Sequence, residues 1–173
     1  MPLYADITGD DDVKRGKTRA EAYHAYLEAI SSFLPEPTRE FALSEWYYRD
    51  PNKCPHDAWL ESVEIFENFS GERHEIRNVG IKSCFLSAHH TGHIHFTYEH
   101  VFSYDLGYLP QLRRSDGRFV LPKHEDWLAD EISLSSSGNV EHEIHFSSGC
   151  VWKIEARCVS YLYVPIPGKQ LQV

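Results

Sequence analysis

No apolar run in this chain is long enough to cross a bilayer, and its first residues, MPLYADITGDDDVKRGK, hold no hydrophobic core flanked by basic side chains. The two absences predict a soluble, cytoplasmic protein that makes no membrane contact. Positive charge is also scarce, with 17 Lys and Arg against 26 Asp and Glu, a formal net charge of −9. Phosphate backbones reward clustered cations through counterion release, so nucleic acid is not an expected partner. A basic protein is a permitted one. The four cysteines, Cys54, Cys84, Cys150 and Cys158, form no C-x-x-C pair. Reduced thiols are expected, although Cys150 and Cys158 could be bridged if they lay on neighbouring strands.

What the chain does contain is aromatic side chains, at 13% of 173 residues, a number that suits one domain with a proper core. Residues 1–17 are polar and charged and read as a flexible arm, and residues 168–173 as a short tail. Between them, 18–167 reads as a single β domain with a leading helix over 18–34. Thr18 and Glu21 form a capping box, Tyr23, Tyr26, Leu27, Ile30 and Leu34 share one helical face, and Pro35 and Pro37 stop the helix.

Strand signals follow. Phe41–Tyr48 is aromatic-rich and reads as a first strand. In Trp59–Phe69 the odd positions Trp59, Val63, Ile65 and Phe69 form an apolar face. After a turn at Thr91-Gly92, Ile94, Phe96 and Tyr98 should face inward and His93, His95 and Thr97 outward. Val101–Leu106 reads as a further strand. A long loop, 107–126, carries Arg113, Arg114 and Arg118. Trp127–Ser135, Val140–Ser147, Val151–Cys158 and Val159–Val164 close the pattern, with hairpin turns at Ser136–Asn139 and Ser147–Gly149. About eight turn-separated strands with one N-terminal helix predict a mainly β fold, an antiparallel β-sandwich or partly closed barrel.

Three groups of residues could carry chemistry. His89, His90, His93 and His95 lie within seven residues. Of these, His93 and His95 share a strand face and are the candidate metal ligands, with zinc the ion such donors take. Adding Cys84, His142 or His145 depends on strand pairing. The spacing matches no established ligand pattern, so the expectation is that no cofactor is bound. Cys54-Pro55-His56-Asp57 invites a thiolate–imidazolium reading, but adjacent residues in a proline-rigid turn rarely face each other, and a structural turn is expected. The third group is acidic and aromatic: Asp57, Trp59, Glu61, Tyr104, Trp127, Asp130, Glu131, His142, Glu143, Trp152 and Glu155. Glu61 and His142 fall on apolar faces and must be paired if buried. A Glu61–His142 or Glu61–Arg contact would satisfy them within the core; otherwise the group forms an acidic pocket with aromatic walls, shaped for a cationic group.

The strings CPHDAWLE (Cys54–Glu61), VFSYDLG (Val101–Gly107), DWLADEI (Asp126–Ile132) and GNVEHEIHFSSGCVWKIEA (Gly138–Ala156), with Tyr161 and Pro165, resemble a set of small bacterial proteins of unknown function. The similarity spans 54–165. Where that group has a Tyr-His-Asp-Gly type of turn, this chain has His89-His90-Thr91-Gly92. The resemblance implies a single β domain and no assigned activity. Size, acidity and lack of catalytic motifs are also similar to those of immunity proteins that neutralise bacterial toxins. The expectation is therefore a non-catalytic acidic protein-binding module with a basic protein partner, the carboxylates named above meeting its Lys and Arg. The alternatives are a metal-dependent or small-ligand enzyme at His93 and His95, and a homodimer formed through a strand edge.

Overall fold

A computed structural model describes residues 12–107 and 124–169, with side-chain environments from residue 20 onward. The expected loop arginines Arg113, Arg114 and Arg118, most of the arm and most of the tail lie outside the described residues. Three helices precede the sheet: α1 (Asp12–Ile30), α2 (Glu36–Ala42) and α3 (Glu45–Arg49), with a 3-10 turn at Ser31–Phe33. Thr18 is therefore inside α1 rather than at its cap, and residues 12–17 are helical rather than part of an arm. Of the expected helical face, Tyr23 and Leu27 are buried and Tyr26 is exposed, while Leu34 is buried but lies past α1 and the 3-10 turn, in extended backbone. Pro37 does not merely stop a helix; it sits in the first turn of α2, where its missing N–H costs nothing.

The stretch 41–48 is helical, which corrects the expected first strand. Its aromatics favour strands in isolation, but here they are spent on helix-to-sheet packing. Phe41 meets Phe96 edge-on with ring centroids 5.9 Å apart, and Tyr47 meets Tyr161 at 5.6 Å.

Six strands form one antiparallel sheet: β1 (Trp59–Ser70), β2 (Ile76–Leu86), β3 (Gly92–Leu106), β4 (Trp127–Leu134), β5 (Val140–Phe146) and β6 (Val151–Pro165). The spatial order is β1-β2-β3-β6-β5-β4, two three-strand meanders joined where β3 pairs with β6. The sheet is open, and among the described residues there is one sheet rather than two. Its two edges touch at one corner, where Asp57 donates to the Trp127 carbonyl (2.8 Å) and Trp127 to the Ala58 carbonyl (3.0 Å). The eight expected strands became six partly because two apparent strand ends are phase shifts. In β3 burial passes from Ile94, Phe96 and Tyr98 to a half-buried Val101 across His100, whose φ is +51°. In β6 it passes from Trp152, Ile154 and Ala156 to Val159 beside the same point. Each strand turns over locally and continues, as bulged strands do.

All three helices cover one face. Tyr23 accepts from the Ile132 N–H, Thr38 donates to the Val159 carbonyl (2.8 Å), and Tyr47 reaches β4. Beneath them lie Ile81, Phe85, Ile94, Phe96, Trp127, Ile144 and Trp152, all essentially without solvent contact. Each such side chain contributes on the order of 1.5–3 kcal/mol. The helices stop short of the distal half of β1, so Val63, Ile65 and Phe69 remain 38%, 44% and 57% exposed although they point to the helical side. Cys150 immediately precedes β6 and Cys158 lies eight positions further on within it, roughly 26 Å away in extended chain. No bridge joins them, and all four cysteines are free thiols.

Candidate functional site

Inside the core, four polar side chains from four elements form a chain. His142 on β5 has no solvent exposure. Its Nδ1 lies 2.9 Å from the Tyr98 hydroxyl on β3, and its Nε2 lies 3.2 Å from Asp130 on β4. The same Asp130 oxygen accepts a hydrogen bond from Tyr47 on α3 (2.7 Å), and its other oxygen accepts one from the Trp127 indole (3.3 Å). Burial raises the Tyr98 and Tyr47 phenols well above the usual range, and Asp130 adds to the shift. Neither hydroxyl ionises near neutral pH. A relay of Tyr, His and Asp is present, with Tyr98 and His142 sealed beside Phe96 and Trp127. It satisfies the buried His142, as the sequence required, through Tyr98 and Asp130 rather than through Glu61.

Glu61 faces the other way. A bulge between Leu60 and Ser62 rotates it onto the face opposite the helices. There its Oε2 lies 3.2 Å from His93 Nε2 and accepts from the Cys84 thiol at 3.7 Å. Trp59, also on that face, stacks edge-on against His90 at 4.7 Å. His93 and His95 do turn outward, as the alternation predicts, while Ile94, Phe96 and Tyr98 are sealed. Register pairs His93 with Leu86 and Val164, and His95 with Cys84 and Leu162. Trp59, Leu162 and Val164 are 49%, 59% and 40% exposed, so this half of the outer face is apolar and histidine-rich.

The other half of the outer face is acidic. Lys153 on β6 lies 2.8 Å from Glu143, whose hydrogen bond is the main cause of its raised pKa, and 4.0 Å from Glu141, which adds to the shift together with Glu131. Burial opposes ionisation of Glu143, yet hydrogen bonds from Lys153 and from His145 (2.8 Å) bring its carboxyl below the usual range. Glu155 accepts from Asn139, Ser135 and Ser103, which hold its carboxyl low as well. Three carboxylates, Glu131, Glu141 and Glu143, thus act on the Lys153 ammonium.

Of the expected binding residues, Glu131, Glu143 and Glu155 come together on the outer face, and Trp59 and Glu61 lie on its apolar half. Asp57 is exposed at the corner where β1 meets β4, with φ +62°. Tyr104 is half exposed and pairs with Ile154, away from the others. Trp127, Trp152 and His142 are buried in the core, and Asp130, nearly buried, lines the cleft between α3 and β4. Their alternation was readable, but which side of each strand the helices cover was not. Sequence reasoning passed over Glu141, Lys153, Leu162 and Val164, whose period-two spacing along β5 and β6 was the available signal.

A cleft of about 580 Å³ opens where α3 meets β4, between Tyr47, Tyr48, Cys54, His56, Leu128 and Asp130. The Cys54 thiol is raised by burial, with Asp130, Asp57 and Asp50 adding to the effect and the His56 N–H opposing it. A thiol kept protonated is a poor nucleophile. Among the described residues, no group of three or more His, Cys, Asp or Glu side chains stands placed to hold a metal ion, and no helix is long and apolar enough to cross a membrane. No known protein family, curated protein or solved structure matches the chain.

Proposed function

We propose that this chain is a non-catalytic protein-binding module that receives a basic partner on the outer face of its sheet. The observation that carries the reading is the one-sided packing. Three helices cover one face, and the opposite face presents Trp59, Leu162 and Val164 beside Glu131, Glu141, Glu143 and Glu155. An apolar patch next to a carboxylate cluster matches a partner surface with a hydrophobic anchor and surrounding Lys or Arg. A toxin with a basic active-site surface, neutralised by being covered, is the most concrete such partner. Two features weigh against catalysis: Tyr98 and His142 have no solvent contact, so that only Asp130 and Tyr47 of the polar chain reach a cleft, and burial keeps Cys54 a thiol.

The test is capture of partners from a cell extract by the full chain, run beside a Glu131→Lys/Glu141→Lys double variant, at low and at high salt. The reading expects a bound protein with a basic surface that is lost with salt and lost with the double variant, because exposed charge pairs act through a screened field. An empty capture, or one indifferent to both changes, overturns it.

A further inference from the structure

Strand pairing settles which residues flank His93 and His95. Cys84 on β2 stands directly opposite His95, and Glu61, turned outward by its bulge, reaches across from β1. Four donors of three kinds therefore share one face over three adjacent strands: a thiol, two imidazoles and a carboxylate. One Glu61 oxygen already touches both His93 Nε2 (3.2 Å) and the Cys84 sulfur (3.7 Å), and the His93 and His95 ring centres are 6.3 Å apart. Neighbouring strands run about 4.8 Å apart and same-face residues about 6.8 Å along a strand. Those spacings suit side chains that converge above the sheet rather than within its plane.

We propose that Glu61, Cys84, His93 and His95 bind one Zn²⁺ ion, in a site with all four positions taken by protein. Thiolate, imidazole and carboxylate are the donors zinc accepts, and four of them complete a tetrahedron. The side chains of His93 and Glu61 are 33% and 43% exposed, so they can turn onto a common point without disturbing the core. Binding breaks the Cys84 S–H bond and releases its proton to solvent, and the two imidazoles bind in their neutral form. The thiolate and the Glu61 carboxylate then balance the charge of the ion. Such an ion would staple β1, β2 and β3 together at the end of the sheet where β1 is an edge strand.

The experiment uses the full chain without a histidine tag, stripped of metal and titrated with Co²⁺ as an optical substitute for Zn²⁺. One equivalent should produce a near-ultraviolet thiolate-to-cobalt band and intense visible bands of a tetrahedral centre, both abolished by added Zn²⁺. Cys84→Ser should remove the near-ultraviolet band. His93→Ala and His95→Ala should each weaken Zn²⁺ binding by more than the roughly 10–100-fold that outer-shell substitutions cost. Zn²⁺ should raise the melting temperature of the parent chain but not of Cys84→Ser. Circular dichroism of the metal-free variants, matched to the parent, keeps a folding failure from imitating lost ligation, and Glu61→Gln supplies a second, gentler variant. Absence of stoichiometric cobalt, or a thiolate band that survives Cys84→Ser, overturns the site.

Discussion

Tyr98 and His142 lie on strands that flank β6 without pairing with each other, yet the phenol and the imidazole meet 2.9 Å apart with no solvent around either. With the His142 proton on Nε2, that nitrogen donates to Asp130 and Nδ1 accepts from Tyr98, so every polar atom of the ring is matched. Tyr98→Phe removes the hydroxyl and leaves Nδ1 buried without a donor. A loss of about 1–3 kcal/mol is expected, read from urea unfolding. A Tyr98→Phe/His142→Leu double variant should lose less than the sum of its single variants, because the two side chains act as one unit.

Helix docking has its own signature. Leu27 is fully buried beneath α1, whereas Phe33 is 72% exposed just after it. Leu27→Ala should therefore cost about 2–5 kcal/mol and Phe33→Ala no more than about 0.5 kcal/mol. Equal losses at both positions would mean that the helix does not sit on the sheet as described.

Stability should fall on acidification in two stages. His95 and His124 have pKa values lowered by burial, His93 adding to the effect at His95. The unfolded chain then binds more protons between the lowered values and the usual pKa near 6.5, and stability drops as pH falls through that window. Glu143 has a lowered pKa, so its contribution is present above its usual value of 4.5 and is lost as pH falls through the folded-state value. His95→Gln should flatten the first stage and Glu143→Gln the second, in unfolding curves taken from pH 7 to pH 3.

Cys84 should react slowly with iodoacetamide. Burial first, and then the Glu61 carboxylate beside it, push its thiol up to about 11. Glu61→Gln removes the second cause, so alkylation of Cys84 at pH 8 should become faster, followed by mass spectrometry of the modified peptide. An unchanged rate would place Glu61 elsewhere in solution.

Much of the β pattern was legible because burial has a period of two. Ile94, Phe96 and Tyr98, and likewise Val140, His142, Ile144 and Phe146, alternate in the sequence and are buried alternately in the structure. The hairpin turns were legible too, since Ser-Gly and Thr-Gly steps mark them. The 41–48 stretch was misread because aromatic richness cannot tell a strand from a short helix whose rings fit between Phe96 and Tyr161. Glu61 was placed on the wrong face because one bulged residue reverses every facing before it.

Local alternation, turn chemistry and charge count are properties of neighbouring residues, and the amino-acid order alone determined them: an antiparallel, acidic, mainly β chain with its histidines beside a turn. Which face the helices cover, and therefore that Trp127 and His142 are core while Glu131 and Leu162 are surface, was decided only by tertiary packing. So was the meeting of Glu61, Cys84 and His93, which lie up to 32 positions apart in the chain. Strand order and a single bulge bring them together, and neither is encoded within the reach of a local pattern.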